Sequence, residues 1–114
     1  MPSAHHPSAA VRKALRKLGA DLRNARLRRH LPMGVVAERA FTSRATLQRI
    51  EQGDPGVGIG IYSAVLQALG FLDALGELAD VSRDTVGQTL SSAALPKRVR
   101  RRRPSAPAQE PGRG

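Results

Sequence analysis

Residues 41–55, "FTSRATLQRIEQGDP", gather side chains suited to directed hydrogen bonding. Arg44 and Arg49 carry guanidinium forks, Gln48 and Gln52 carry amides, and Ser43 and Thr46 carry hydroxyls. A guanidinium can engage two acceptors at once, as it does with O6 and N7 of guanine. On a helical wheel of about 100° per residue, Leu47 and Ile50 fall within about 60° of each other. Arg44, Ala45, Gln48, Arg49 and Gln52 spread over the opposite arc. One side of such a helix is anchored by two apolar residues and the other faces outward. This is equipment for recognising a surface, not for breaking bonds.

The rest of the chain adds no catalytic chemistry. With no cysteine, disulfides and thiolate metal sites are excluded, and an intracellular home is permitted. All three histidines lie at or before residue 30, and no serine is paired with one. His5 and His6 lack a third ligand and read as part of a tail rather than a metal site. The glycine-rich "GVGIG" at 56–60 lacks the lysine and the preceding strand of a nucleotide cradle. The expectation is a protein with no catalytic residue, cofactor or metal.

Charge points to a polyanionic partner. The net charge is +10 over 114 residues. Residues 8–30 hold eight Lys/Arg against Asp21, a net +7, while residues 31–96 hold four Arg against seven Asp/Glu, a net −3. Residues 97–103, "KRVRRRR", carry six positives. Positive charge concentrated at both ends most often meets nucleic acid. No apolar run approaches the roughly 20 residues of a membrane span, and the N-terminus lacks the apolar stretch of a signal peptide. The chain is expected to be cytoplasmic, without a membrane partner.

The elements that must position the polar face are helices. Residues 1–7 show no periodicity and are read as disordered. From Ser8, a plausible N-cap, Val11, Leu15, Leu18, Leu22 and Ala25 form one apolar stripe. This helix is expected to end near His30, because Pro32 disfavours helical geometry in the residue before it. A second helix over 33–40 turns Val36, Ala37 and Ala40 inward. A third, 44–52, is capped by Ser43 and stopped by Gly53 and Pro55. A fourth over 59–69 repeats Ile61, Val65 and Leu69. A fifth follows Gly70 with Phe71, Leu72, Leu75 and Leu78, and a sixth runs from about 82 to 92 with Val86 and Leu90. Pro96 closes the folded part, and residues 97–114 are read as a disordered basic tail. The fold class is all-α, with one domain over 8–96.

Two short helices joined by a tight break, the second with an arginine-bearing outer face, make a helix-turn-helix. An α-helix fits the major groove of B-DNA, and its N-terminal residues reach the base edges. Residues 18–69, through "LRNARLRRHL", "VVAERA" and "TSRATLQRIEQG", resemble the Cro/cI-type (xenobiotic-response-element) helix-turn-helix regulators, which share the lambda repressor-like fold. "SRATLQRIEQGDPGVGIGIYSAVLQALG" further resembles the HipB-like antitoxins encoded beside HipA-type kinase toxins, and "LPKRVRRRR" has the same flavour.

That resemblance implies roles at matching positions. Arg44, Ala45, Gln48 and Arg49 would face base edges, and Ser43, Thr46 and Gln52 would touch phosphates. Arg26 and Glu51 would form an ion pair tying the first helix to the third. It implies a bacterial, nucleoid-associated regulator that binds a palindromic double-stranded operator as a homodimer, represses its own operon and neutralises a HipA-like kinase. A stand-alone repressor without a toxin and a non-specific nucleic-acid-binding protein remain open. Lys97, Arg98, Arg100, Arg101, Arg102 and Arg103 either neutralise phosphates or form a solvated end.

Two residues depart from the family pattern. Met33 stands where a phosphate-holding glutamine is usual. Phe41 stands where the turn usually has a glycine at positive φ. Either that turn is differently shaped, or Phe41 adopts an ordinary geometry and packs against the fourth helix.

Overall fold

A computed structural model describes residues 6–93. The expected disorder of residues 1–5 and 97–114, and the closing role of Pro96, lie outside the described residues. The described residues are all helical apart from turns and connections. They fall into two units, one ending at Leu78 and the other beginning at Ala79.

The first unit holds α1 (Ala9–Arg28), α2 (Met33–Arg39), α3 (Arg44–Glu51), α4 (Ile59–Leu69) and α5 (Leu72–Gly76). Ser8 caps α1, its hydroxyl accepting from the Val11 N–H at 3.2 Å. Helices α1 to α4 all end on the same device. A residue in the left-handed conformation follows each, and its N–H and that of its successor turn back onto the last carbonyls. The left-handed residues are His30, Phe41, Gly53 and Gly70. After α1, the His30 N–H donates to the Leu27 carbonyl and the Leu31 N–H to that of Arg26. After α3, the Gly53 N–H donates to the Ile50 carbonyl at 2.9 Å and the Asp54 N–H to the Arg49 carbonyl at 3.0 Å.

The core is aliphatic. Leu22 and Ala25 of α1 meet Val36 and Ala37 of α2, Leu47 and Ile50 of α3, and Tyr62, Val65 and Leu69 of α4, with Ala40 and Val57 from the connections. Two expectations are corrected here. Ile61 is 38 % exposed, and Tyr62 at 6 % takes the inward place. A strict four-residue repeat drifts around a 3.6-residue helix, so the buried face of α4 runs through 62, 65 and 69 instead. Val11 is exposed, because the first turns of α1 extend past the core; burial starts in earnest at Gly19.

Gly19 and Gly53 let α1 and the end of α3 approach at backbone distance. A Cβ on Gly19 would lie 2.5 Å from the Ile50 carbonyl oxygen, and one on Gly53 would lie 2.5 Å from that of Leu15. Just past the end of α1, the Arg29 guanidinium sits 5.1 Å from the centre of the Phe71 ring, just before α5.

In the second unit, a single 3-10 turn at Val81–Arg83 precedes α6 (Thr85–Ala93). The Asp84 carboxylate accepts from the Gly87 N–H at 2.9 Å within the first turn of α6. Val86 and Leu90 of this helix are exposed.

Candidate nucleic-acid interface

Helix α3 is short, capped and two-sided. The Ser43 hydroxyl accepts from the Thr46 N–H at 3.1 Å, satisfying one of the orphan donors of the first turn. Its proton goes to the Thr46 Oγ1 at 3.0 Å. Leu47 and Ile50 are completely buried, while Arg44, Ala45, Gln48 and Arg49 are exposed together on the opposite side. Gln52, at the C-cap, is exposed as well. The Arg44 stem lies beside the start of α2: a Cβ on Gly34 would be 3.8 Å from its Cδ. Met33, at that end of α2, is half-buried and packs against the core.

The turn between α2 and α3 resolves the Phe41 question against both expected outcomes. Phe41 takes the left-handed geometry, with φ of 55°, and does not pack against α4. Phe41 is 96 % exposed. The turn keeps the usual shape because its hydrogen bonds demand it: the Phe41 N–H reaches the Glu38 carbonyl at 3.0 Å and the Thr42 N–H the Ala37 carbonyl at 2.9 Å.

Two ion pairs lie at the C-terminal end of α3, and the buried one ties it to α1. Arg26 grips Glu51 with two bonds, Nε–H to Oε2 at 2.7 Å and Nη2–H to Oε1 at 3.1 Å, and both side chains are buried. Its Nη1–H donates to the Leu31 carbonyl at 3.1 Å. One guanidinium thus joins α1, the turn before α2 and the end of α3. Donating to the Glu51 carboxylate raises the Arg26 pKa, against the opposing effect of burial. The second pair links Arg49 Nε–H to Asp54 Oδ2 at 2.7 Å. That bond, and then the Gly56 N–H on Oδ1, hold the Asp54 carboxyl below the ordinary carboxylate range. Tyr62 donates its hydroxyl to the Asp54 carbonyl at 2.8 Å. Burial first, and the Asp54 charge second, push the Tyr62 phenol up.

Of the residues singled out from the sequence, Ser43, Arg44, Ala45, Gln48, Arg49 and Gln52 are exposed and Thr46 is half-buried, while Arg26 and Glu51 meet beneath the far end of α3. Lys97 to Arg103 lie outside the described residues. Sequence reasoning missed Asp54, Tyr62 and Gly19. The signal for Gly19 was there, since a glycine inside a helix costs stability and marks a close approach. For Asp54 the only signal was its place five residues after Arg49. Among the described residues, no cluster of His, Asp or Glu could hold a metal, and no helix is long and apolar enough to cross a membrane.

Two short helices in the core, the second offering a capped polar face of arginine and glutamine, define a helix-turn-helix DNA-binding protein. The chain belongs to the helix-turn-helix domain family, whose pattern matches residues 17–77, more than half of its length. The matched stretch runs from within α1 through the end of α5. No curated protein and no solved structure gives a significant match.

Proposed function

We propose that this DNA-binding regulator reads a palindromic operator through the exposed face of α3, as a homodimer. The observation that carries this is the two-sidedness of α3: its apolar residues are wholly buried while Arg44, Ala45, Gln48 and Arg49 stand exposed together. Arg44 and Arg49 suit guanine, and Gln48 suits adenine. Ser43, Thr46 and Gln52 flank this face and suit phosphate oxygens. Dimerisation is supported by apolar side chains exposed in each unit, Leu72 and Leu78 in the first and Val86 and Leu90 in the second. A single recognition helix reads only a few base pairs, so two half-sites about one helical turn apart are needed for specificity. The six positives at 97–103 add affinity without sequence choice.

The partner reading is narrower. The resemblance of residues 43–70 to HipB-like antitoxins supports a role as the autorepressing antitoxin of a HipA-like kinase. Co-expression with the product of the adjacent reading frame tests it. A kinase that is toxic alone and copurifies harmlessly with this protein supports the role; a neighbour without kinase sequence leaves the stand-alone repressor.

The experiment for the DNA reading is competition. A duplex selected by the protein from a randomised library is competed against random duplex, with wild type and Arg49→Ala. Loss of one bidentate contact costs about 1–3 kcal/mol on the selected duplex. The loss on random duplex is expected to be smaller. Equal losses on both would make Arg49 a phosphate contact.

A further inference from the structure

A carboxylate beside a DNA-reading arginine repels phosphates, so its presence there calls for a reason. Asp54 lies just past the end of α3, and it is firmly mounted. Its N–H donates to the Arg49 carbonyl, and its carbonyl accepts from the buried Tyr62 hydroxyl. One carboxylate oxygen accepts from the Gly56 N–H at 2.7 Å. The other accepts from Arg49 Nε–H, also at 2.7 Å. Gly56 leaves the room for this seat: a Cβ there would lie 3.1 Å from Asp54 Oδ1 and 3.3 Å from Arg49 Nη2. The pair is half-exposed, with side-chain exposures of 50 % for Arg49 and 33 % for Asp54. Exposed pairs contribute little to stability, so the arrangement is poorly explained as a structural brace.

We propose that Asp54 is a specificity-determining residue that positions Arg49 for base reading. The proposal rests on the reading of Arg49 as a base contact. A free arginine on its flexible stem can neutralise any phosphate within reach. Held through Nε, it gives up that freedom and keeps both Nη groups for an end-on, two-pronged contact with guanine O6 and N7. Asp54 thereby exchanges general affinity for discrimination: its charge weakens binding to every duplex, and its grip sharpens the choice among them.

The test uses the full chain, a duplex it selects from a randomised library, and a random duplex. Wild type, Asp54→Asn, Asp54→Glu, Arg49→Ala and the Arg49→Ala/Asp54→Asn double variant are compared. Asparagine keeps the size of the side chain and removes its charge. The D54N variant is expected to bind random duplex at least as tightly as wild type, while its selected-to-random ratio falls about tenfold, within the range of one bidentate base contact. Asp54→Glu restores the charge but displaces the carboxylate by one methylene. It is expected to bind random duplex as wild type does and still lose discrimination. In the R49A background, D54N is expected to leave the ratio unchanged. A D54N or D54E protein that keeps the full ratio overturns the proposal while the base-contact reading stands. An R49A protein that keeps the full ratio overturns both.

Discussion

The two ends of α3 are held in opposite ways. At the C-terminal end, Gly53 is wedged against the α1 backbone, Arg26 and Glu51 form a buried pair, and Asp54 and Tyr62 lock the following loop. At the N-terminal end, the cap of Ser43 and the left-handed turn at Phe41 stand in solvent. Both ends use a left-handed residue, yet only Gly53 is also short of space. A Cβ there would meet Leu15 and Arg16 backbone atoms within 2.6 Å. At Phe41 geometry alone asks for glycine, and a bulky residue is tolerated at the cost of strain. The helix is thus bolted to the core at one end and projected from it at the other. The projected end carries Arg44 and Ala45, whereas Arg49, the proposed base contact, stands nearer the bolted end beside Asp54.

Variants can break this contrast at the bolted end. Arg26→Ala leaves the Glu51 carboxylate buried without its partner, which is expected to cost about 3–5 kcal/mol of unfolding free energy by denaturant titration. A cost below about 1 kcal/mol, the range of exposed pairs, would mean that the joint does not hold α3. Gly53→Ala comes next. It meets a left-handed cost of about 1–2 kcal/mol and an overpacking cost of about 1–3 kcal/mol against α1. Thermal unfolding that matches wild type would show that α1 and α3 are not in backbone contact.

The projected end is expected to respond mildly. Ser43→Ala removes the cap and is expected to lower stability by about 1 kcal/mol, read from the same titrations. Phe41→Gly is the smallest effect and has the opposite sign. It relieves about 1–2 kcal/mol of left-handed strain, against about 0.5–1 kcal/mol of added backbone freedom in the unfolded chain. A slight stabilisation is expected. A loss of stability would mean that the exposed Phe41 ring has a packing role.

The contrast also separates what the sequence discloses from what it hides. Features set by near neighbours along the chain are legible. Ser8 and Ser43 are the N-caps, Gly53 ends α3, and Leu47 with Ile50 form its buried side. The polar face of α3 follows directly from that buried side. Features that depend on what another element brings are not legible. Helix α4 is apolar nearly all round, so periodicity could not decide between Ile61 and Tyr62; the Asp54 carbonyl that takes the Tyr62 hydroxyl does. The stripe through Val11 reports the period of α1 but not how far its packing partners extend. Phe41 was hidden for another reason. Side-chain preference argues against a left-handed phenylalanine, and the hydrogen bonds closing α2 override that preference.

Helix α3, rather than the strongly basic α1, is proposed to meet the bases. Amide chemical-shift mapping by NMR, on titration with the selected duplex at moderate salt, tests it most directly. The largest changes are expected within residues 43–54, including the Arg49 and Asp54 amides, with weaker and salt-sensitive changes along 12–29. Changes confined to the arginines and lysines of α1, with residues 43–54 undisturbed, would contradict it and leave a protein that holds DNA by charge alone.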